Sequence, residues 1–213
     1  MRRKKSNGFT KRKKPIINKI RDFKKDFLTL PNMLTTARIV ATPLILWLIF
    51  VNTFSSRNTA LITYFLASWT DFFDGYLARK LNSVTVTGKL LDPLADKFNV
   101  LLPLLVFLYL KEISLLLVIL IFARELYMFG IRNMAMENNL VIAAEMGGKI
   151  KTMFQMFGIG FLITHETLFK MIFGDTISAN SMGSTLLWSS ILFSYFSAYS
   201  YTLKLKRKLF ENR

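Results

Sequence analysis

The sequence predicts an all-α integral membrane protein with six transmembrane helices, an N-terminal amphipathic interfacial helix and both termini in the cytoplasm. Three observations support this fold class. Hydrophobic residues make up 52% of the 213-residue chain. They gather in stretches of about 20 residues, the length at which a helix crosses roughly 30 Å of hydrocarbon. Basic residues concentrate at the N-terminus and between alternate stretches.

The first 30 residues are predicted to form a basic cytoplasmic tail, separate from a six-helix domain at 31–213. Of the 29 Lys and Arg residues, 12 lie within residues 1–30. Five apolar residues recur there at helical spacing, namely Ile16, Ile17, Ile20, Phe23 and Phe27. This spacing predicts a helix that lies in the membrane interface. Because a strongly apolar body follows, we expect the tail to bind anionic lipid headgroups and no nucleic acid.

Six spans can be drawn in the second segment, each close to the length that a membrane requires. They cover 32–51, 59–81, 89–110, 113–136, 147–168 and 184–205. The connections at 79–97 and 132–151 are basic, and KLKRK follows the last span, whereas the other connections carry few cations. The positive-inside rule therefore predicts a multi-pass protein of the cell membrane with cytoplasmic termini. We expect 165–184 to be a loop that lies largely outside.

Four of the 13 acidic residues stand within strongly apolar surroundings: Asp71, Asp74, Asp92 and Asp96. The first two are three residues apart on the second span, and the last two are four apart on the third, so each pair shares a helix face. Counting from the basic rims places Asp71 roughly 12 Å and Asp96 roughly 10 Å deep. The two pairs can therefore converge on neighbouring antiparallel helices.

Converging carboxylates within a membrane require cations, because one such charge already costs about 2.5–3.5 kcal/mol. Hard divalent ions such as Mg²⁺, Mn²⁺ or Ca²⁺ prefer carboxylate oxygens, and two of them would form a site that clamps a phosphate or pyrophosphate. The chain has no cysteine, which excludes thiolate centres, and its single histidine argues against a histidine-based centre. Helix-end pairing with Arg79, Lys89 and Lys97 is the alternative, but it does not account for two spaced pairs.

A glycine accompanies each carboxylate pair. Gly75 follows Asp74, and Gly88 precedes Asp92 by four residues. Neither has a side chain, so a planar base or ribose could approach the helix backbone there. Arg79, one turn from Gly75, could reach a phosphate. Helix packing is the alternative role for either glycine.

Together these residues read D-F-F-D-G-Y-L-A-R, eight further residues, then G-K-L-L-D-P-L-A-D. This pattern resembles the signature of the CDP-alcohol phosphatidyltransferase family at every fixed position and spacing. The resemblance implies a six-helix membrane enzyme, often a homodimer, with a cytoplasmic-side cavity. It implies two Mg²⁺ or Mn²⁺ ions on Asp71, Asp74, Asp92 and Asp96, with Asp96 as the general base.

The resemblance also implies a binding site for the cytidine diphosphate part of a CDP-diacylglycerol donor. Gly75, Ala78, Arg79 and Gly88 would surround it. PNMLTTAR in the first span resembles a short upstream element of the family, so Asn32, Thr36 and Arg38 are expected to contact the nucleotide or its phosphates. The alternative for Arg38 is a side chain that extends to the membrane interface.

Residues 120–160 indicate the acceptor. ARELYMFGIRNMA and GGKIKTMFQM resemble the phosphatidylglycerophosphate synthase branch of the family. Four cations near the cytoplasmic end, Arg124, Arg132, Lys149 and Lys151, would bind a phosphate dianion such as that of glycerol 3-phosphate, and Glu125 would orient an arginine.

Three alternatives remain open at this point. A cardiolipin synthase of the same family would use phosphatidylglycerol as acceptor, and PNMLTTARI is compatible with it. A phosphatidylinositol-phosphate synthase is a third sibling, less similar in residues 120–160. A divalent-cation transporter would use the aspartates as an ion path, but it would need acidic groups accessible from both sides.

Overall fold

The computed structural model describes the backbone of residues 30–80, 86–138, 140 and 146–211. Within these ranges, the side chains of 30–32, 34–35, 71–80, 86–94, 96, 146–147, 149 and 211 lie outside the described part, as do residues 1–29 of the predicted tail. The described ranges form seven helices and no strand, which confirms the all-α prediction. The helices are α1 (Leu30–Val51), α2 (Phe54–Lys80), α3 (Val86–Tyr109), α4 (Leu115–Glu137), α5 (Met146–Ile163), α6 (Glu166–Phe173) and α7 (Ala179–Glu211).

Five of the six predicted apolar spans each coincide with one continuous helix. The first four spans match α1 to α4 to within about five residues, and the sixth lies inside the longer α7. Within the described ranges, no single helix has both the length and the apolar character that a membrane crossing demands; α5 and α6 meet that requirement only as a pair bent by 110°. The count of six crossings and the cytoplasmic termini stay predictions.

The fifth predicted span, 147–168, is wrong as a single helix, because the chain turns after Ile163. The backbone N–H of Thr164 reaches two carbonyls of the preceding turn, and His165 is extended. The His165 ring Nδ1 then accepts a hydrogen bond of 3.2 Å from the Thr167 N–H and so caps α6. The expected loop at 165–184 therefore contains α6, which Gly174 ends at a positive φ of 79°.

The core of the bundle lies between α1, α2, α3, α4, α5 and α7. Helix α1 packs against both α2 and α3, and α5 packs along α7. Fully buried side chains such as Ile49, Tyr64, Leu104 and Ile159 fill the centre. This arrangement holds α2 and α3, the helices that carry the aspartates, on one common neighbour.

Helices α5 and α7 approach each other at two glycines. A Cβ at Gly183 would lie 2.8 Å from the Gly158 carbonyl oxygen, and one at Gly158 would lie 3.1 Å from the Gly183 carbonyl oxygen. The 2.8 Å distance is shorter than real Cβ–oxygen contacts and the 3.1 Å distance is tighter than most of them, so a side chain at Gly183 requires the helices to shift. The two backbones are therefore in direct contact.

A buried ion pair closes the end of the bundle away from the aspartates. The Arg57 guanidinium donates to both carboxylate oxygens of Glu112, which precedes α4. It also donates to the Leu162 carbonyl at 2.7 Å and to the Asn52 amide oxygen at 2.8 Å. Arg57 thus connects the α1–α2 turn, the α3–α4 turn and the end of α5.

Candidate active site

The four predicted metal ligands occupy two adjacent helices. Asp71 and Asp74 belong to the last third of α2, and Asp92 and Asp96 to the first half of α3. Their side chains lie outside the described part of the chain, so the predicted metal geometry and the role of Asp96 stay predictions. Among the residues whose side chains are described, no cluster of His, Asp or Glu could hold a metal ion.

One turn beyond these aspartates, α2 and α3 are joined by a hydrogen bond. The Asn99 side-chain amide donates to the Ser68 hydroxyl at 3.5 Å. Ser68 precedes Asp71 by three residues, and Asn99 follows Asp96 by three, so each lies on the same helix face as its aspartate. The hydrogen bond thus shows that Ser68 and Asn99 face each other; that Asp71 and Asp96 do so one turn away stays a prediction.

The donor set near this contact suits a hard divalent cation. The side-chain carbonyl oxygen of Asn99 is buried and has no hydrogen-bond partner in the described part of the chain. An unpaired buried oxygen beside a carboxylate face is typical of a polar site that holds water or an ion. Carboxylate and amide oxygens are the ligands that Mg²⁺ and Mn²⁺ accept in proteins.

A cleft of about 180 Å³ lies between α1 and α2 and reaches the start of the aspartate face. Its lining consists of small or apolar side chains and one arginine: Ala37, Arg38, Ala41, Thr63, Leu66, Ala67 and Thr70. Arg38 is buried there rather than extended towards an interface, and Thr70 is adjacent to Asp71 in the chain. The cleft therefore links a buried cation to the predicted metal site.

The remaining residues predicted to bind the donor lie on the same three helices. Thr36 is half-buried on α1, whereas the side chain of Asn32 lies outside the described part. Gly75, Ala78 and Arg79 occupy the end of α2, and Gly88 the start of α3, with no described side chains. The structure thus shows their order along the helices but does not test their contacts.

A cationic cluster forms around Glu125 on the other side of α3. The Arg124 guanidinium and the Lys151 ammonium both bind the same oxygen, Oε1, of Glu125; the Arg124 Nη1 contact is 3.0 Å. Arg124 Nε also donates to the Ser194 carbonyl at 3.2 Å, so α4, α5 and α7 meet here. Arg132 is exposed, and its charge repels both Arg124 and Lys151.

This cluster has more positive than negative charge. Two cations bind the single carboxylate of Glu125, and the charge of Arg132 acts on both of them, which leaves two positive charges in excess. Arg124 and Lys151 are buried, so their attraction for an anion is screened by salt less than that of surface lysines. The structure thus brings together three of the four cations predicted to bind a phosphate, and the side chain of Lys149 lies outside the described part.

Two polar contacts near the site were not predicted from the sequence. Ser68 and Asn99 continue the aspartate faces at intervals of three residues, and that periodicity is the signal that could have identified them. The Ser194 carbonyl, which anchors Arg124, has no such signal because any residue supplies a backbone carbonyl.

Comparison with known proteins identifies the family and several relatives of the chain. The CDP-alcohol phosphatidyltransferase family matches residues 28–196. The chain is 36% identical over 172 residues to the CDP-diacylglycerol–glycerol-3-phosphate 3-phosphatidyltransferase of Rickettsia bellii, covering 81% of this chain and 92% of the relative. It is 33% identical over 188 residues to the enzyme of the same name from Bacillus subtilis, covering 82% and 94%.

A further relative has a different name and a shorter match. The chain is 39% identical over 110 residues to a CMP-forming cardiolipin synthase of Streptomyces coelicolor, covering 49% of this chain and 51% of the relative. The family match covers most of the chain, and it includes both aspartate-bearing helices and the cationic cluster. The chain therefore belongs to the CDP-alcohol phosphatidyltransferase family.

Proposed function

We propose that this chain transfers a phosphatidyl group from CDP-diacylglycerol to glycerol 3-phosphate, which yields phosphatidylglycerophosphate and CMP. The observation that carries the proposal is the cationic cluster of Arg124, Lys151 and Arg132 around Glu125, within the same bundle as the family's aspartate helices. Relatives named for this reaction, matched over most of their length, support it.

In the proposed reaction, the free primary hydroxyl oxygen of glycerol 3-phosphate bonds to the phosphorus of the phosphatidyl group. The bond from that phosphorus to the CMP oxygen breaks, and the electron pair leaves with CMP. Asp96 accepts the hydroxyl proton as general base. Two Mg²⁺ or Mn²⁺ ions would be held by the four aspartates, Asp71, Asp74, Asp92 and Asp96. When bound, these ions would polarise the pyrophosphate and stabilise the charge on the departing phosphate.

Other residues bind the two substrates. Seven residues contact the cytidine diphosphate part of the donor: Asn32, Thr36, Arg38, Gly75, Ala78, Arg79 and Gly88. The buried position of Arg38 beside the cleft supports its part in that set. Arg124, Arg132, Lys149 and Lys151 bind the acceptor phosphate, and the contact of Glu125 with both Arg124 and Lys151 keeps their nitrogens near one point.

The protein acts in the cell membrane, with six crossings, cytoplasmic termini and an active site that faces the cytoplasm. Large apolar side chains on the outer faces of the described helices support this location; Trp69, for example, is 66% exposed and Leu192 74%. Such exposure is unfavourable in water and suits contact with lipid. The basic tail of residues 1–30 adds contacts with anionic headgroups, and a homodimer stays a prediction from the family.

Cardiolipin synthesis is the second candidate, because a relative with that name matches half of the chain. Its acceptor, phosphatidylglycerol, has a phosphodiester with one negative charge, whereas the phosphate group of glycerol 3-phosphate is a dianion. A site with two excess positive charges matches the dianion better.

The decisive experiment supplies purified protein with CDP-diacylglycerol and Mg²⁺ or Mn²⁺. Parallel samples receive glycerol 3-phosphate, inositol phosphate or phosphatidylglycerol, and the released CMP and the lipid product are measured. We expect metal-dependent CMP release with glycerol 3-phosphate. Release with phosphatidylglycerol alone would assign the cardiolipin reaction, and metal uptake into vesicles without CMP release would assign transport.

A further inference from the structure

Lys97 on α3 contacts the face of an aromatic ring on α4. Its ammonium lies 3.8 Å from the centroid of the Phe129 ring. This separation is well inside the distance of about 6 Å at which a ring stabilises a cation. The lysine is partly buried and the ring half-exposed, so the contact lies at the edge of the bundle and not in its core.

The position of this contact links the two halves of the candidate site. Lys97 directly follows Asp96 on α3. Phe129 follows Glu125 by four residues and precedes Arg132 by three, so these three side chains share one face of α4. The Lys97 ammonium therefore lies over the face of α4 that carries Glu125 and Arg132, while its own helix carries the predicted base.

The contact with Phe129 does not neutralise the positive charge of Lys97. Glu125 compensates one positive charge among Arg124, Lys151 and Arg132, whereas an aromatic ring stabilises an ammonium without neutralising it. Lys97 thus adds a cation from α3 beside the face of α4 that carries Glu125 and Arg132. An anion that binds between α3 and α4 would gain from a lysine that the ring already holds in place.

We propose that Lys97 binds the phosphate of the acceptor and so selects a phosphate-bearing acceptor, with Phe129 as the residue that positions its ammonium. This inference rests on the proposed function. It assigns Lys97 to the acceptor and not to the lipid donor, and it explains how one acceptor can reach both Asp96 and the cationic cluster.

The test compares Lys97→Met and Lys97→Arg in the full-length purified protein. KM for glycerol 3-phosphate, KM for CDP-diacylglycerol, the inhibition constant of inorganic phosphate and the melting temperature are measured for each. For Lys97→Met we expect KM for glycerol 3-phosphate and the inhibition constant to rise about 10- to 100-fold, the loss of one charge-assisted contact. KM for CDP-diacylglycerol should change less than about 2-fold, and Lys97→Arg should restore most of the acceptor affinity.

Lys206→Met is the matched control, because it removes an exposed lysine from the basic end of α7; it should leave both KM values unchanged. Phe129→Leu should raise KM for glycerol 3-phosphate about 3- to 10-fold, and Phe129→Trp should preserve it.

An unchanged acceptor KM in Lys97→Met, or equal increases for both substrates, would overturn the inference. If Lys97→Met does not fold, Phe129→Leu decides by the same criteria. Failure of the proposed function itself would be visible in the wild type, which would then release no CMP with glycerol 3-phosphate.

Discussion

Asn99 and Ser68 join α3 to α2 by a side-chain hydrogen bond of 3.5 Å, one helical turn from Asp96 and from Asp71. The contact lies deeper in the bundle than the aspartates. It joins the two helices that carry the predicted ligands, and the binding of a divalent ion depends on the spacing of its ligands. The pair therefore acts on the proposed metal site without belonging to it.

Asn99→Leu should weaken metal activation. The substitution keeps a similar volume but removes the contact with Ser68, and we expect the half-saturating Mg²⁺ or Mn²⁺ concentration to rise about 10-fold, as for other residues that orient metal ligands. CMP release measured against metal concentration checks this. Asn138→Leu is the matched control, because the exposed Asn138 amide donates to the Met134 carbonyl of its own helix. Equal metal dependence in both variants would contradict the prediction.

Asp96→Asn should abolish turnover in a protein that still folds. The amide has nearly the same shape but cannot accept the acceptor's proton, so kcat should fall about 10²- to 10⁴-fold. Single-turnover CMP release and the melting temperature together check this. Glu137→Gln, at the exposed end of α4, should retain activity. Substantial turnover in Asp96→Asn would remove its role as base.

Arg132→Ala and Arg124→Ala should differ in their effect on stability. Both should raise KM for glycerol 3-phosphate about 10-fold and leave KM for CDP-diacylglycerol nearly unchanged. Only Arg124→Ala should also lower the melting temperature, because it removes the donor to the Ser194 carbonyl and one of the two buried cations that bind Glu125, whereas Arg132 is exposed. Similar melting temperatures for the two variants would contradict the structural role of Arg124.

Arg57→Met should destabilise the fold without changing either KM. It leaves the mostly buried Glu112 carboxylate unpaired, which costs about 3–5 kcal/mol in the free energy of unfolding. Removing both charges in Arg57→Met/Glu112→Leu should recover part of that loss. Lys170→Met is the control, since its ion pair with Asp175 is exposed and should contribute less than about 1 kcal/mol. Thermal unfolding in one detergent compares all three.

Gly183→Ala should lower the melting temperature, although alanine favours helices. Its Cβ would meet the Gly158 carbonyl at 2.8 Å and the Leu162 side chain at 2.7 Å, so the helices have to separate. Gly130→Ala is the matched control within α4. Nothing lies within 4 Å of a Cβ there, and the lower entropy of the unfolded chain should stabilise it by about 0.5–1 kcal/mol.

The sequence predicts most of the helices because their apolar stretches end at turns or charged residues. The prediction fails at Thr164 and His165, where hydrophobic residues continue on both sides. The turn there depends on two hydrogen-bonding features: the Thr164 N–H contacts two backbone carbonyls, and the His165 ring caps α6. Such local hydrogen bonds leave no trace in hydrophobic periodicity. The helix α6 was therefore missed.

The candidate site, like the fold, is predicted by the sequence only in part. Helical periodicity places Asp71 with Asp74 and Asp92 with Asp96. Position near the cytoplasmic end of the fourth and fifth predicted spans marks four cations as a group: Arg124, Arg132, Lys149 and Lys151. That Arg124 and Lys151 share one oxygen of Glu125 could not be predicted, because it depends on how α4, α5 and α7 pack. Arg57 illustrates the point further: the sequence marks it as an ordinary loop cation, yet it is buried against residues 55 and 105 positions away.

The backbone contact between Gly158 and Gly183 also restricts the path of a lipid. Two helices whose carbonyls nearly touch the opposite glycine leave no gap wide enough for a hydrocarbon chain at that level. The fatty acyl chains of the proposed donor therefore cannot slide in between α5 and α7 there. They have to enter from the bilayer at another place.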